Sequence, residues 1–93
     1  MVIQSLELHL RLAGCHSLKE KRSVIKPLVE RARRSFGVSI CEVGDLGIWN
    51  ASTVGVAVVS NDALHANQVL ESVVELFDQC HDLEIVHQAI EHR

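Results

Sequence analysis

The chain has 93 residues, enough for one domain with one two-layer core and too few for two. Hydrophobic residues make up 47% and charged residues 23% with a net charge of −3, which excludes a disordered chain and a bulk polycation. No apolar run reaches the roughly 18 residues of a membrane-spanning helix, and three separated cysteines read as free thiols, so the expectation is a cytoplasmic protein without a membrane role.

The first segment, residues 2–12, alternates with period two. Val2, Leu6, Leu8, Leu10 and Leu12 fall on one side, and Ser5, Glu7, His9 and Arg11 on the other. It therefore reads as a half-buried strand and not as a signal peptide, which would carry a basic leader and a small-residue cleavage site. Ser17 with Glu20 three residues later forms a capping box for a helix running to about Ser35. Its apolar stripe is Leu18, Val24, Ile25, Leu28, Val29, Ala32 and Phe36, and Gly37 supplies the stop. Pro27 lies within it, and either kinks one helix or belongs to the first turn of a second segment capped by Ser23.

Val38–Val43 reads as a second strand, and Thr53–Ser60 as a third, with Val54, Val56 and Val58 on one face. Between them Gly44-Asp45-Leu46-Gly47 opens a connection that carries the only tryptophan, Trp49. Ser60-Asn61-Asp62 caps a second amphipathic helix ending near Cys80, with Ala66, Val69, Leu70, Val73, Val74 and Phe77 as its stripe. Leu83 to His92 reads as a last strand whose alternation slips at Ile85-Val86, as at a β-bulge.

The order is β-α-β-β-α-β. Two right-handed crossovers then place both helices on one face of a four-stranded antiparallel sheet, an α+β ferredoxin-like sandwich spanning residues 1–93. A doubly wound parallel sheet would need a helix between strands two and three, where about nine residues are available.

The blocks Ser17-Leu18-Lys19-Glu20-Lys21-Arg22, Val38-Ser39-Ile40-Cys41-Glu42-Val43 and Val56-Ala57-Val58-Val59-Ser60-Asn61-Asp62 resemble the signature segments of the bacterial YlxP-like family, across essentially the whole chain. The resemblance implies a ferredoxin-like domain of unknown function, without assigned catalytic residues. Genes of that family often neighbour those of translation initiation and ribosome-binding factors, which implies a ribosomal role. Where many members carry Asp-aliphatic-Trp-Gln-Arg, this chain reads Gly47-Ile48-Trp49-Asn50-Ala51. Trp49 is kept, while Gly47 and Ala51 replace an acid and a base.

Charge is segregated. Residues 17–37 hold seven basic residues and two acids, a net of +5; the remainder holds two and ten, a net of −8. Lys19, Arg22, Lys26 and Arg33 fall on one stripe of the first helix beside its apolar face. Cations near a helix N-terminus oppose the macrodipole, and a bound phosphate would offset that cost. These four residues are the candidate contacts to RNA or the ribosome; the bland alternative is a solvated basic face paired with the acidic second helix.

The two central strands present Ser5, Glu7, His9 and Arg11, then Thr53, Gly55 and Ala57, none of them Phe, Tyr or Trp. Base stacking on the sheet is therefore not expected, while self-association through this small, polar face (a homodimer) stays open beside a plain wet face. Topology brings Cys15-His16, Asp45 and Cys80-His81 to one end, yet no CxxC or HxxxH spacing supports zinc, and no oriented Cys–His–acid order supports a nucleophile. The expectation is no metal, no cofactor and no enzyme. Trp49 is either a cover for the end of the core or a contact for a partner.

Overall fold

The apolar face that alternates along residues 2–12 must be covered, and two helical stripes of matching width supply the cover. In the computed structural model, which describes residues 1–92, the order is β1 (Val2–Arg11), α1 (Leu18–Phe36), β2 (Ser39–Gly44), β3 (Ala51–Ser60), α2 (Ala63–Asp78) and β4 (Glu84–His92). The strands form one antiparallel sheet in the order β2-β3-β1-β4, with β1 and β3 central. This is the ferredoxin-like arrangement expected from the sequence. α2 packs on β1 and β3, and α1 packs on β2 and against α2.

Leu6, Leu8, Leu10 and Leu12 meet Val54, Val56 and Val58 beneath Ile25 and Ala32 of α1 and Ala66, Leu70, Val73, Leu76 and Phe77 of α2. Phe77, Leu8, Leu12, Leu70, Val54 and Val73 are completely buried. Each such side chain contributes about 1.5–3 kcal/mol on leaving water.

Both helix starts follow their sequence signals. Ser17 is extended and its Oγ accepts from the Glu20 amide at 3.1 Å. Glu20 Oε2 returns the contact, accepting from the His16 amide at 2.8 Å, one residue upstream of the expected capping-box partner. Gly37, in the left-handed region at φ 63°, closes α1 with its N–H on the Arg33 carbonyl. α1 is one helix that continues through the exposed Pro27, which settles the two alternatives left by the sequence. Ser23 is no cap; its Oγ donates to the Glu20 carbonyl at 2.6 Å.

Two bulges shape the edges. On β4, His87 pairs with His9 and Ile85 with Leu10, so Val86 is the extra residue, where the alternation of the sequence slips. On β2 the register shifts between Glu42 and Gly44, leaving Val43 as the second bulge residue. Its isopropyl group lies over Gly55, where a Cβ would come within 3.0 Å of Val43 Cγ1.

Two buried polar side chains stand out. Lys21 is 2% exposed on the apolar side of α1. Its Nζ donates at 2.7 Å to the carbonyls of Asp45 and Ile48 and lies 2.7 Å from Glu42 Oε2, which also accepts from Ser52 Oγ at 2.6 Å. All three ammonium protons are thus satisfied, and α1 is bolted to the β2–β3 hairpin. Gln4, on the core face of β1, is fully buried with no partner for its amide among the described residues.

Removing the Lys21 ammonium strands a carboxylate and two carbonyls, so Lys21→Ala is expected to cost about 3 kcal/mol in urea unfolding, against under about 0.5 kcal/mol for the exposed Lys19→Ala. Gln4→Met, similar in shape and apolar, is expected to leave stability unchanged or to raise it by about 1 kcal/mol in the same measurement.

Candidate functional site

α1 presents two faces whose chemistry is set by its wheel position. Ile25 and Ala32 point down to the sheet, and the stripe of Lys19, Arg22, Lys26 and Arg33 runs along the shoulder facing the edge strand β2. Between that shoulder and β2 lies a groove of about 190 Å³, lined by Lys21, Arg22, Ile25, Lys26, Val29, Arg33, Cys41 and Glu42. Its floor is aliphatic and its helix wall carries Arg22, Lys26 and Arg33. The one acid in it, Glu42, is already neutralised by Lys21.

The four candidate cations are not equivalent. Arg33 donates through Nη2 to the Ile40 carbonyl at 2.8 Å, capping the free edge of β2. Its other guanidinium donors remain for a ligand. Lys19, Arg22 and Lys26 are exposed, and among the described residues none of them has an acidic partner. Among the described residues Arg11 pairs with Glu84 and Lys21 with Glu42, and Glu7 lies 3.5 Å from His9, so no acid of α2 is paired with the basic stripe.

Lys21 is the residue that sequence reasoning missed. It is one of the seven basic residues of 17–37 and no member of the stripe; its wheel position lies among Leu18, Ile25 and Leu28, and Glu42 follows Val38 and Ile40 on the core face of β2. A lysine on an apolar helix stripe and an acid on a core-facing strand position were the signal.

At one end of the groove sits the β2–β3 connection. Ile48 N–H donates to the Asp45 carbonyl at 3.0 Å, closing a tight turn, and Leu12 N–H donates to the Asn50 carbonyl at 2.9 Å. Asp45 takes a positive φ of 59° and accepts from Thr53 Oγ1 at 3.3 Å. Trp49 is 49% exposed and absent from the core, beside the exposed Leu46 and Ile48. It is not a buried cover. A Cβ at Gly47 would meet open space, so no close packing requires glycine there.

The opposite face of the sheet is open. Val59 is 66% exposed and Val43 half exposed, and a shallow groove between β1 and β2 runs over Gly55 and Ala57. His9 and His87 lie ring to ring at 5.4 Å, with His9 Nδ1 3.3 Å from Thr53 Oγ1 and Nε2 3.5 Å from Glu7.

The cysteine–histidine end is a depression of about 510 Å³ that gathers Cys15, Glu20, His81 and Asp82, and of the expected set it leaves out His16, Asp45 and Cys80. Among the described residues no three His, Cys, Asp or Glu side chains are grouped to hold a metal ion. Burial pushes the Cys15 thiol above its ordinary range, the carboxylates of Glu20 and Asp82 push the same way, and Lys21 pulls it back. Cys41, by contrast, is exposed on β2.

The fold and the groove define a class: a two-layer ferredoxin-like domain with an unpaired cationic shoulder. The chain belongs to the family described as "Protein of unknown function (DUF503)", whose model matches residues 3–90. It is 35% identical over 68 residues to the uncharacterized protein YlxP of Bacillus subtilis (strain 168), covering 73% of this chain and 74% of that one. The solved structure of the de novo designed protein Foldit4 superposes with a TM-score of 0.52 at 16% identity, over 98% of this chain and 93% of that one, a likeness of fold alone.

The folded chain holds the Cys15 proton more tightly than the unfolded chain. The stabilisation is therefore complete below the unfolded thiol pKa of about 9.0 and is lost as pH rises through the higher folded value. Wild type is expected to lose stability above about pH 9.0 relative to Cys15→Ala, in urea titrations across pH. Alkylation should mark Cys41 first and Cys15 only on unfolding.

Proposed function

We propose that this protein is a binding module for RNA, in the setting of the ribosome, which engages phosphates along the α1 shoulder. The observation that carries the reading is the exposed cation set Lys19, Arg22 and Lys26, with no acidic partner among the described residues; Arg22 and Lys26 line a groove whose one acid is internally neutralised, and Lys19 continues their stripe toward the helix start. A merely solvated face has no need to gather like charges along one stripe beginning at a helix start, where the dipole opposes Lys19 in the first turn by about 0.3–1 kcal/mol. A row of phosphates offsets that repulsion and releases counterions on binding. The groove offers shape and charge and no nucleophile with an oriented base, so the reading is of binding and not of catalysis.

The test is co-sedimentation of the full chain with ribosomal subunits across a salt series. Binding is expected to fall steeply with salt, and Arg22→Ala with Lys26→Ala together should lower the log–log slope by about 1.5. An unchanged slope in the double variant, or no binding at low salt, rejects the reading.

The open sheet face supports a second reading, a homo-oligomer closed through Val43, Val59 and the groove over Gly55 and Ala57. It predicts a dimer mass by light scattering at high micromolar concentration, lost in Val59→Glu; a monomer there removes it.

A further inference from the structure

We infer that the ligand of the α1–β2 groove is a single-stranded RNA segment, one of whose unpaired bases stacks on the indole of Trp49 while the adjoining phosphates lie against Arg22 and Lys26. The inference rests on the phosphate reading above and adds the strandedness of the ligand and the place where a base is held.

Three observations converge on Trp49. It is the only tryptophan of a chain with no tyrosine, and it is half exposed on a turn where it does not belong to the core. The turn is held firmly: Asp45 and Ile48 offer their carbonyls to the Lys21 ammonium, Ile48 N–H closes the turn, and the Asn50 carbonyl is fixed by Leu12 N–H. A ring on so constrained a backbone is a preorganised platform, which loses little freedom on taking up a partner. Lys21 also lines the groove together with Arg22 and Lys26, so the turn that carries the indole adjoins the cationic wall.

An exposed aromatic plane beside a basic track is how proteins hold single strands, where unstacked bases offer their faces. A duplex offers only edges and backbone, because each base is covered by its neighbours. Among the described residues the open sheet carries the His9–His87 pair but no Phe, Tyr or Trp, so the indole is the large stacking surface, carried by the turn that adjoins the cationic wall. Exposed Leu46 and Ile48 extend it with an apolar border.

Trp49 is its own reporter, since no other residue of the chain emits with it. The full chain is titrated with a mixed-sequence single-stranded RNA oligonucleotide and with the same sequence as a duplex, from about 50 mM salt upward. Quenched emission in the wild type is expected, together with, by the anisotropy of an end-labelled RNA, affinity for the single strand at least about tenfold above that for the duplex and a loss of about tenfold in Trp49→Leu but not in Trp49→Phe. Salt-dependent binding with unchanged emission, or with equal affinity for the duplex, overturns the stacking inference and leaves the phosphate reading standing. Absence of salt-dependent binding to either RNA overturns both. Should Trp49→Leu not fold, the wild-type emission and the strand preference decide the matter by themselves.

Discussion

The interaction on which the rest depends is the buried ammonium of Lys21. One cation, 2% exposed, takes two backbone carbonyls and a carboxylate within 2.7 Å, and thereby ties the first turns of α1 to the β2–β3 hairpin. An ion taken out of water is tolerated only when each of its protons finds an acceptor, and here each does. The contact orients the helix shoulder over the edge strand and fixes the turn that carries Trp49. It also removes the groove's one acid from contention by neutralising Glu42 internally.

Around that anchor, α1 separates its charges by role. Lys21 faces inward and is structural. Arg33 spends one donor on the Ile40 carbonyl and so covers an edge of the sheet that would otherwise invite pairing with another chain. Lys19, Arg22 and Lys26 face water, the last two beside an aliphatic floor. Residues that look alike in a composition count thus divide into a bolt, an edge cap and a free cationic track. The acids of α2 do not cancel the track, because the ion pairs of the described residues lie elsewhere.

The architecture was legible because local signals agree with one another. Period two along Leu6, Leu8 and Leu10, the Ser17–Glu20 cap, the Gly37 stop and the slip at Ile85-Val86 all correspond to features of the fold. The β2 bulge at Val43 was not legible, since it depends on Val43 lying over a glycine in a neighbouring strand. Pro27 was ambiguous for a related reason: whether a helix passes through a proline is decided by what the rest of the helix packs against, and α1 is held to β2 and α2 on both sides of it.

The sequence by itself determined the element order, the core-facing sides and the concentration of positive charge in residues 17–37, because periodicity, caps and charge are properties of neighbouring residues. Tertiary structure alone decided which cations are free. Lys21 and Arg33 find their acceptors 27 and 7 positions away, across the crossing of a helix and a strand edge; the wheel position of Lys21 marks it as inward, but which carbonyls receive it is set only where the two elements meet. It decided the standing of Trp49 as well, for exposure at a hairpin tip depends on how far the core extends beneath it.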